Sequence, residues 1–173
     1  MKRIKLTDNF FLDEFIDPLT YFTDIDNGFA RIDLKIVKCV QLLRTKAGHP
    51  ISINGWWKHL PEDMANFDPL EFLNEMIEKR VPVWSGFRSL LCKIGASKSA
   101  HKLGKAVDPK GDEEEYFKIV EDNLEEFYKL GLRRLEDISI TNGWLHMDTE
   151  KRNCKPNSIR VIDRTKCTKI IYF

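Results

Sequence analysis

The chain has 173 residues, enough to build a proper hydrophobic core and most simply read as a single domain. With 28 Lys and Arg against 27 Asp and Glu, its formal net charge is +1, so no global basic field argues for nucleic acid. A hydrophobic content of 42% and a charged content of 32% exclude a disordered chain, and no run approaches about 18 consecutive apolar residues, which excludes membrane insertion through a helix.

The four cysteines, Cys39, Cys92, Cys154 and Cys167, are scattered without a CxxC pair, so neither a disulfide framework nor a thiolate metal site is expected. The N-terminus is basic but lacks the apolar run of a signal peptide, which predicts synthesis in the cytoplasm. Residues 6–15 pass from turn formers to apolar residues and read as a docking segment. Ile32, Ile36, Val40 and Leu43 recur at helical spacing and predict an amphipathic helix ending near Gly48, with Pro50 as a stop. Residues 51–57 alternate and are β-branched, which predicts a strand. The paired Trp56 and Trp57 in it are more often core than walls of a cleft. Asp68-Pro69-Leu70-Glu71 is a helix start, followed by an apolar face of Phe72, Leu73, Met76 and Ile77.

The chemistry sits further on. Ser99-Ala100-His101-Lys102-Leu103-Gly104-Lys105-Ala106-Val107-Asp108 sets a histidine and a carboxylate seven residues apart. Trp144-Leu145-His146-Met147-Asp148 supplies a second histidine. Catalytic zinc takes three nitrogen or oxygen ligands and keeps one position open for water, and the ion's charge brings that water's pKa to about 7. His101, Asp108 and His146 are read as those three ligands. On one strand His101 and Asp108 would lie more than about 20 Å apart, so the chain must turn between them, and Gly104 allows it. Lys98, Lys102, Lys105 and Lys110 make the surroundings basic, a solvated face that would also attract acidic peptides.

Asp112-Glu113-Glu114-Glu115 starts a helix whose face is Phe117, Val120, Leu124 and Phe127 and which Gly131 closes, so the acidic run is helix chemistry and not a calcium site. Residues 134–148 read as a hairpin. A broad loop centred on Thr141 puts Glu136 opposite His146. A tight Asn142-Gly143 turn pairs Ser139 with His146 instead and turns Asp137 to the same side. Asp148 shares a face with His146 in either register. Residues 159–163 and 169–173 read as two short strands extending or covering the sheet edge.

Ser-x-His-x-x-Gly-x-Ala-x-Asp (Ser99, His101, Gly104, Ala106, Asp108) followed by Trp144-x-His146 resembles the zinc peptidases that include D-alanyl-D-alanine carboxypeptidases, dipeptidases and phage endolysins. The zinc fold of Hedgehog signalling domains belongs to the same group. Ser85-Gly86-Phe87-Arg88-Ser89 is similar to the family's Ser-Gly-aromatic-Arg-Ser run. The resemblance implies an α+β fold, with helices packed on one antiparallel sheet and the metal on the sheet's exposed face. It also implies that residues 60–80 are an insertion and that residues 6–15 carry a short helix packed on the body.

For function, the resemblance implies Zn2+ as cofactor and peptidoglycan stem peptides or cross-links as substrate, cut at either D-Ala–D-Ala or L-Ala–D-Glu. Arg88 would hold a substrate carboxylate or the oxyanion, and Ser99 would hold substrate polar groups or support the metal. Well-known members place a general base three residues before the last histidine, where this chain has Gly143. Glu136 is the expected stand-in, with Asp148 second, as base or as orienting partner. With no signal peptide, the enzyme would reach the wall through a holin or as part of a virion. The rival expectations are a zinc-stabilised binding or virion structural module without turnover, and an empty vestigial site.

Overall fold

Helices begin where an aspartate precedes a helical stretch in the computed structural model of the chain, which describes residues 2–89, 91–94, 98–163 and 166–173. Asp17 accepts from the Thr20 N–H at 2.9 Å to open α1 (Pro18–Thr23). Asp33 accepts from Lys35 to open α3 (Leu34–Ala47), and Asp68 accepts from Leu70 and Glu71 to open α4 (Pro69–Glu78). Asp112 accepts from Glu115 to open α5 (Glu113–Asp122). Each such cap contributes about 1 kcal/mol by satisfying an orphan N–H. The short α2 (Ile25–Arg31) follows α1 directly, and α6 (Leu124–Leu130) follows α5. Left-handed Gly48 and Gly131 end α3 and α6.

Among the described residues the fold is α+β, with six α-helices and one five-stranded sheet. Its strands are β1 (Ala106–Val107), β2 (Arg134–Glu136), β3 (Met147–Asp148), β4 (Ser158–Asp163) and β5 (Lys166–Tyr172), in the spatial order β1-β3-β2-β4-β5. β3 runs antiparallel to both β1 and β2, and β4 antiparallel to β5. The expectation of a purely antiparallel sheet is corrected at one pairing, because β2 and β4 are parallel. After β3 the chain reverses through Asn153 and Asn157, both at positive φ, so β4 returns beside β2 in the same direction as β2.

The pleat divides the sheet chemically. Val107, Leu135 and Met147 point to one face, fully buried against the helices in a core that includes Ile36, Val40, Leu43, Val120 and Phe127. Ala106, Asp108, Arg134, Glu136, His146 and Asp148 alternate with them and occupy the opposite face. A second part of the core joins the N-terminal segment to α4, with Tyr21, Trp56 and Phe72 in edge-to-face contact.

Two further expectations are corrected. Residues 51–57 form no strand beyond a single bridge from Ser52 to Lys110, and Trp56–His59 is a 3-10 helix. The Asn54 amide and the Trp56 indole both donate to the Ile16 carbonyl, at 3.2 and 2.9 Å, so this stretch is anchored through side chains to the N-terminal segment rather than into a ladder. The single helix expected from Asp112 to Gly131 is two. Asn123 interrupts it at φ −127°, its amide donating to the Ile119 carbonyl at 2.8 Å. Residues 6–15 contain a 3-10 turn, Leu12–Glu14, as expected of a short docking helix.

That turn carries a pH prediction. The Glu14 carboxylate accepts from the Phe11 N–H at 2.9 Å, and burial pushes its pKa up to about 7, the Phe11 bond offsetting only part of the effect. A carboxyl raised in the folded state favours its neutral form, so its contribution is present below the unfolded value and is lost as pH rises toward 7. The loss amounts to about 3 kcal/mol. Glu14→Gln removes the titration, so the stability of wild type relative to this variant is expected to fall by about that amount between roughly pH 4 and pH 8. Urea unfolding at several pH values reads it, and a pH-independent difference would contradict it.

Candidate metal centre

The register of β1 against β3 builds the site. Ala106 pairs with Asp148 and Val107 with Met147, so the next pair along is Asp108 with His146. On the other side of β3 the β2 register brings Glu136 opposite His146, whose carbonyl accepts from the Glu136 N–H at 3.1 Å. This is the broad-loop alternative. The loop back to His146 contains a 3-10 turn, Ile138–Ile140, and no tight Asn142-Gly143 hairpin. His101 arrives from the 3-10 turn His101–Leu103, which ends at Gly104 with φ +67°. The Gly104 carbonyl accepts from the Asp33 N–H at 2.9 Å, tying the turn to the start of α3. A Cβ at Gly104 would collide with the Arg31 carbonyl.

Three ligand atoms converge. Asp108 Oδ1 lies 2.8 Å from His146 Nδ1 and 3.2 Å from His101 Nε2, and the two nitrogens are 3.1 Å apart. Bonds of 2.0–2.1 Å in a tetrahedron space ligand atoms by about 3.3 Å, so this triangle fits one zinc-sized ion after little movement. His101, Asp108 and His146 are therefore positioned to hold a metal ion.

The remaining imidazole nitrogens are committed elsewhere. His101 Nδ1–H donates to the Gly86 carbonyl at 2.7 Å, and His146 Nε2–H to Asp148 Oδ2 at 3.2 Å. Both bonds select the tautomer that turns a lone pair toward the shared point. Asp148 is itself fully buried and fixed by Arg134 Nε and the Glu150 N–H, each at 2.9 Å from Oδ1.

Electrostatics follows the same geometry. Burial pushes the His146 pKa down, but the hydrogen-bonded carboxylates of Asp108 and Asp148 outweigh it and raise it to about 10. Burial dominates at His101 and lowers its pKa, with Asp108 offsetting part of the effect. At Asp108 burial is outweighed by the two imidazoles, which hold the carboxyl well below its usual range. A metal ion entering the site must displace the proton on His146. Asp148→Asn weakens the acceptor that orients His146, and it is expected to lower metal-ion affinity about 10- to 100-fold. Competition with a chromophoric chelator measures it, and an unchanged affinity would remove Asp148 from the site.

The other expected residues fall as follows. Arg88 Nη2 donates to Asp108 Oδ2 at 3.1 Å and its Nε to the Trp84 carbonyl at 3.0 Å, so the guanidinium fixes the outer oxygen of a ligand while lining the adjoining cavity. Glu136 is half-buried and its pKa is raised by burial, with His146 offsetting part of the rise. Asp148 orients His146 and offers no exposed surface to a substrate. Ser99 does not lie on an extended segment beside His101. Its carbonyl accepts from the Lys102 N–H at 3.0 Å in a turn that leads into the His101–Leu103 3-10 turn. Residues 60–80 do two things. Phe72, Leu73 and Met76 enter the core, while Ile77 and Arg80 line the cavity beside the metal centre.

Sequence reasoning missed Arg134 as the anchor of Asp148, although Arg134 alternates with Glu136 in the strand and that spacing held the signal. It also assigned Lys110 to a solvated face, whereas Lys110 is half-buried with its ammonium 4.8 Å from the centre of the Trp144 ring. Its pairing with a residue 34 positions away left no local trace. The chain matches no protein-family model, no curated protein and no solved structure in the comparisons made.

Proposed function

We propose that the chain is a zinc metallopeptidase acting on peptidoglycan stem peptides or cross-links, of the D-alanyl-D-alanine carboxypeptidase and phage endolysin kind. The observation that carries this reading is the convergence of His101, Asp108 and His146, the residues of the motif, on one ion-sized point with both second nitrogens held. A zinc ion bound there supplies a Lewis acid for the scissile carbonyl and acidifies water.

The chain's own groups do the rest. Glu136, opposite His146 and raised by burial, takes a proton from the attacking water and returns it to the leaving amine. Arg88 keeps Asp108 in place and presents positive charge toward the developing oxyanion. On the resemblance of its motif alone, Ser99 is assigned to substrate polar groups. The wall substrate implies action after holin-type release or from within a virion. Among the described residues no helix is long and apolar enough to cross a membrane.

One observation favours a second reading, a zinc-stabilised binding or virion structural module. The position that carries the base in well-known relatives is Gly143, which is left-handed and has open space around its Cα. Incubation of the zinc-loaded protein with muropeptides, followed by mass spectrometry, separates the two. New cleavage products at D-Ala–D-Ala or L-Ala–D-Glu are expected. Tight zinc binding with intact muropeptides would overturn the peptidase in favour of the binding module.

A further inference from the structure

The β1–β3 register continues past the metal ligands. Beyond Asp108 and His146 the Leu145 N–H donates to the Pro109 carbonyl at 3.1 Å, and Lys110 and Trp144 form the next bridge. Residues two apart on a strand share a face and lie about 6.6 Å apart. The Lys110–Trp144 pair is therefore the neighbour of the Asp108–His146 pair on the metal side of the sheet.

Lys110 is built into place. Its N–H donates to the Ser52 carbonyl at 2.7 Å, and its own carbonyl accepts from the Tyr116 hydroxyl at 3.2 Å. The ammonium lies over the Trp144 ring at the edge of a cavity of about 340 Å³ that also reaches Arg88, Asp108 and Trp84. Asp108 is the one carboxylate lining that cavity among the described residues, and it is already taken. Its Oδ1 faces the two imidazoles and its Oδ2 faces Arg88. The Trp84 indole N–H is buried and has no hydrogen-bond partner among the described residues. Arg80 adds a further cation to the cavity wall. The cavity is thus largely apolar and aromatic in its walls and, apart from the metal-centre residue Asp108 that it reaches, cationic in its charged groups.

We propose that Lys110, seated on Trp144, is the specificity residue that binds a carboxylate of the substrate next to the bond held at the metal centre. This deepens the peptidase reading and rests on it for the metal side of the cleft. About two residues of extended peptide, at about 3.3–3.6 Å each, span the roughly 6.6 Å from the metal pair to the lysine pair. Stem peptides offer a carboxylate from two sources, the C-terminus of D-Ala–D-Ala and the free α-carboxylate of γ-linked D-Glu.

Calorimetry on the zinc-loaded protein tests this with two matched pairs of peptides. The first pair is acetyl-L-Lys-D-Ala-D-Ala and its C-terminal amide. The second is L-Ala-γ-D-Glu-L-Lys and the same peptide with the α-carboxylate amidated. Wild type is expected to bind one carboxylate form about 10- to 100-fold more tightly than its amide, as for a charged hydrogen bond in a partly buried cleft. The pair that shows the preference identifies the source. Lys110→Met is expected to bring that ratio close to one while zinc content stays at wild type, and Lys110→Arg to restore part of it. No preference in wild type for either pair, or a preference that survives Lys110→Met, overturns the proposal. Cleavage is scored separately. Preference without cleavage keeps the carboxylate subsite and removes the peptidase, and cleavage without preference does the reverse.

Discussion

Glu136→Gln is expected to lower stem-peptide hydrolysis about 10²- to 10⁴-fold, the range for losing a positioned proton acceptor. It should leave one zinc bound, because Glu136 lies outside the ligand triangle. The variant keeps the side-chain volume and the Glu136 N–H bond to the His146 carbonyl, so the sheet register is preserved. The wild-type pH profile supplies a second mark. Burial raises the Glu136 pKa, so the acid limb of kcat/KM, where activity climbs as the carboxyl deprotonates, lies above the ordinary carboxylate range. That limb should vanish in the variant. Full activity in Glu136→Gln would move the base elsewhere, and loss of zinc would make Glu136 a ligand.

Gly104→Ala should be the most damaging single methyl that can be added near the site. Gly104 sits at φ +67°, which costs an L-residue about 1–2 kcal/mol. Its new Cβ would also meet the Arg31 carbonyl, a backbone group held next to α3 that cannot rotate away. Relief requires opening the turn that joins His101 to Asp108. A combined cost of about 3 kcal/mol or more lowers Tm by roughly 6–12 °C in a chain of this size, and zinc affinity falls with it. Gly143→Ala is the control. Gly143 is also left-handed, at φ +79°, but a Cβ there meets nothing within 4 Å. Only the backbone term remains, about 2–8 °C in Tm, with zinc affinity near wild type. Equal behaviour of the two variants in thermal melts and zinc titrations would show that the turn at Gly104 does not position the ligands.

Features encoded within a few residues were legible. The caps at Asp68 and Asp112, the glycine stops at 48 and 131, and the turn at Gly104 are local chemistry, and each stands where the residues place it. The hairpin reading of residues 134–148 put His146 and Asp148 on one face and left two registers open. The structure takes the one with Glu136 opposite His146. Pairings between distant segments were not legible. Periodicity says which face a strand buries but not which strand lies beside it, so the parallel contact of β2 with β4 left no mark. Residues 51–57 alternate like a strand, yet two of their side chains bind the Ile16 carbonyl and override the pattern. α1 was missed for a different reason. Asp17-Pro18 repeats the Asp68-Pro69 signal, but a helix of six residues shows too little period to be recognised.

Metal analysis after equilibrium dialysis against zinc tests most directly whether His101, Asp108 and His146 hold one divalent cation. One zinc per chain is predicted for wild type, and none for His101→Ala, Asp108→Ala or His146→Ala under the same conditions. Metal-free wild type, or a full complement of zinc in any of the three variants, would contradict it.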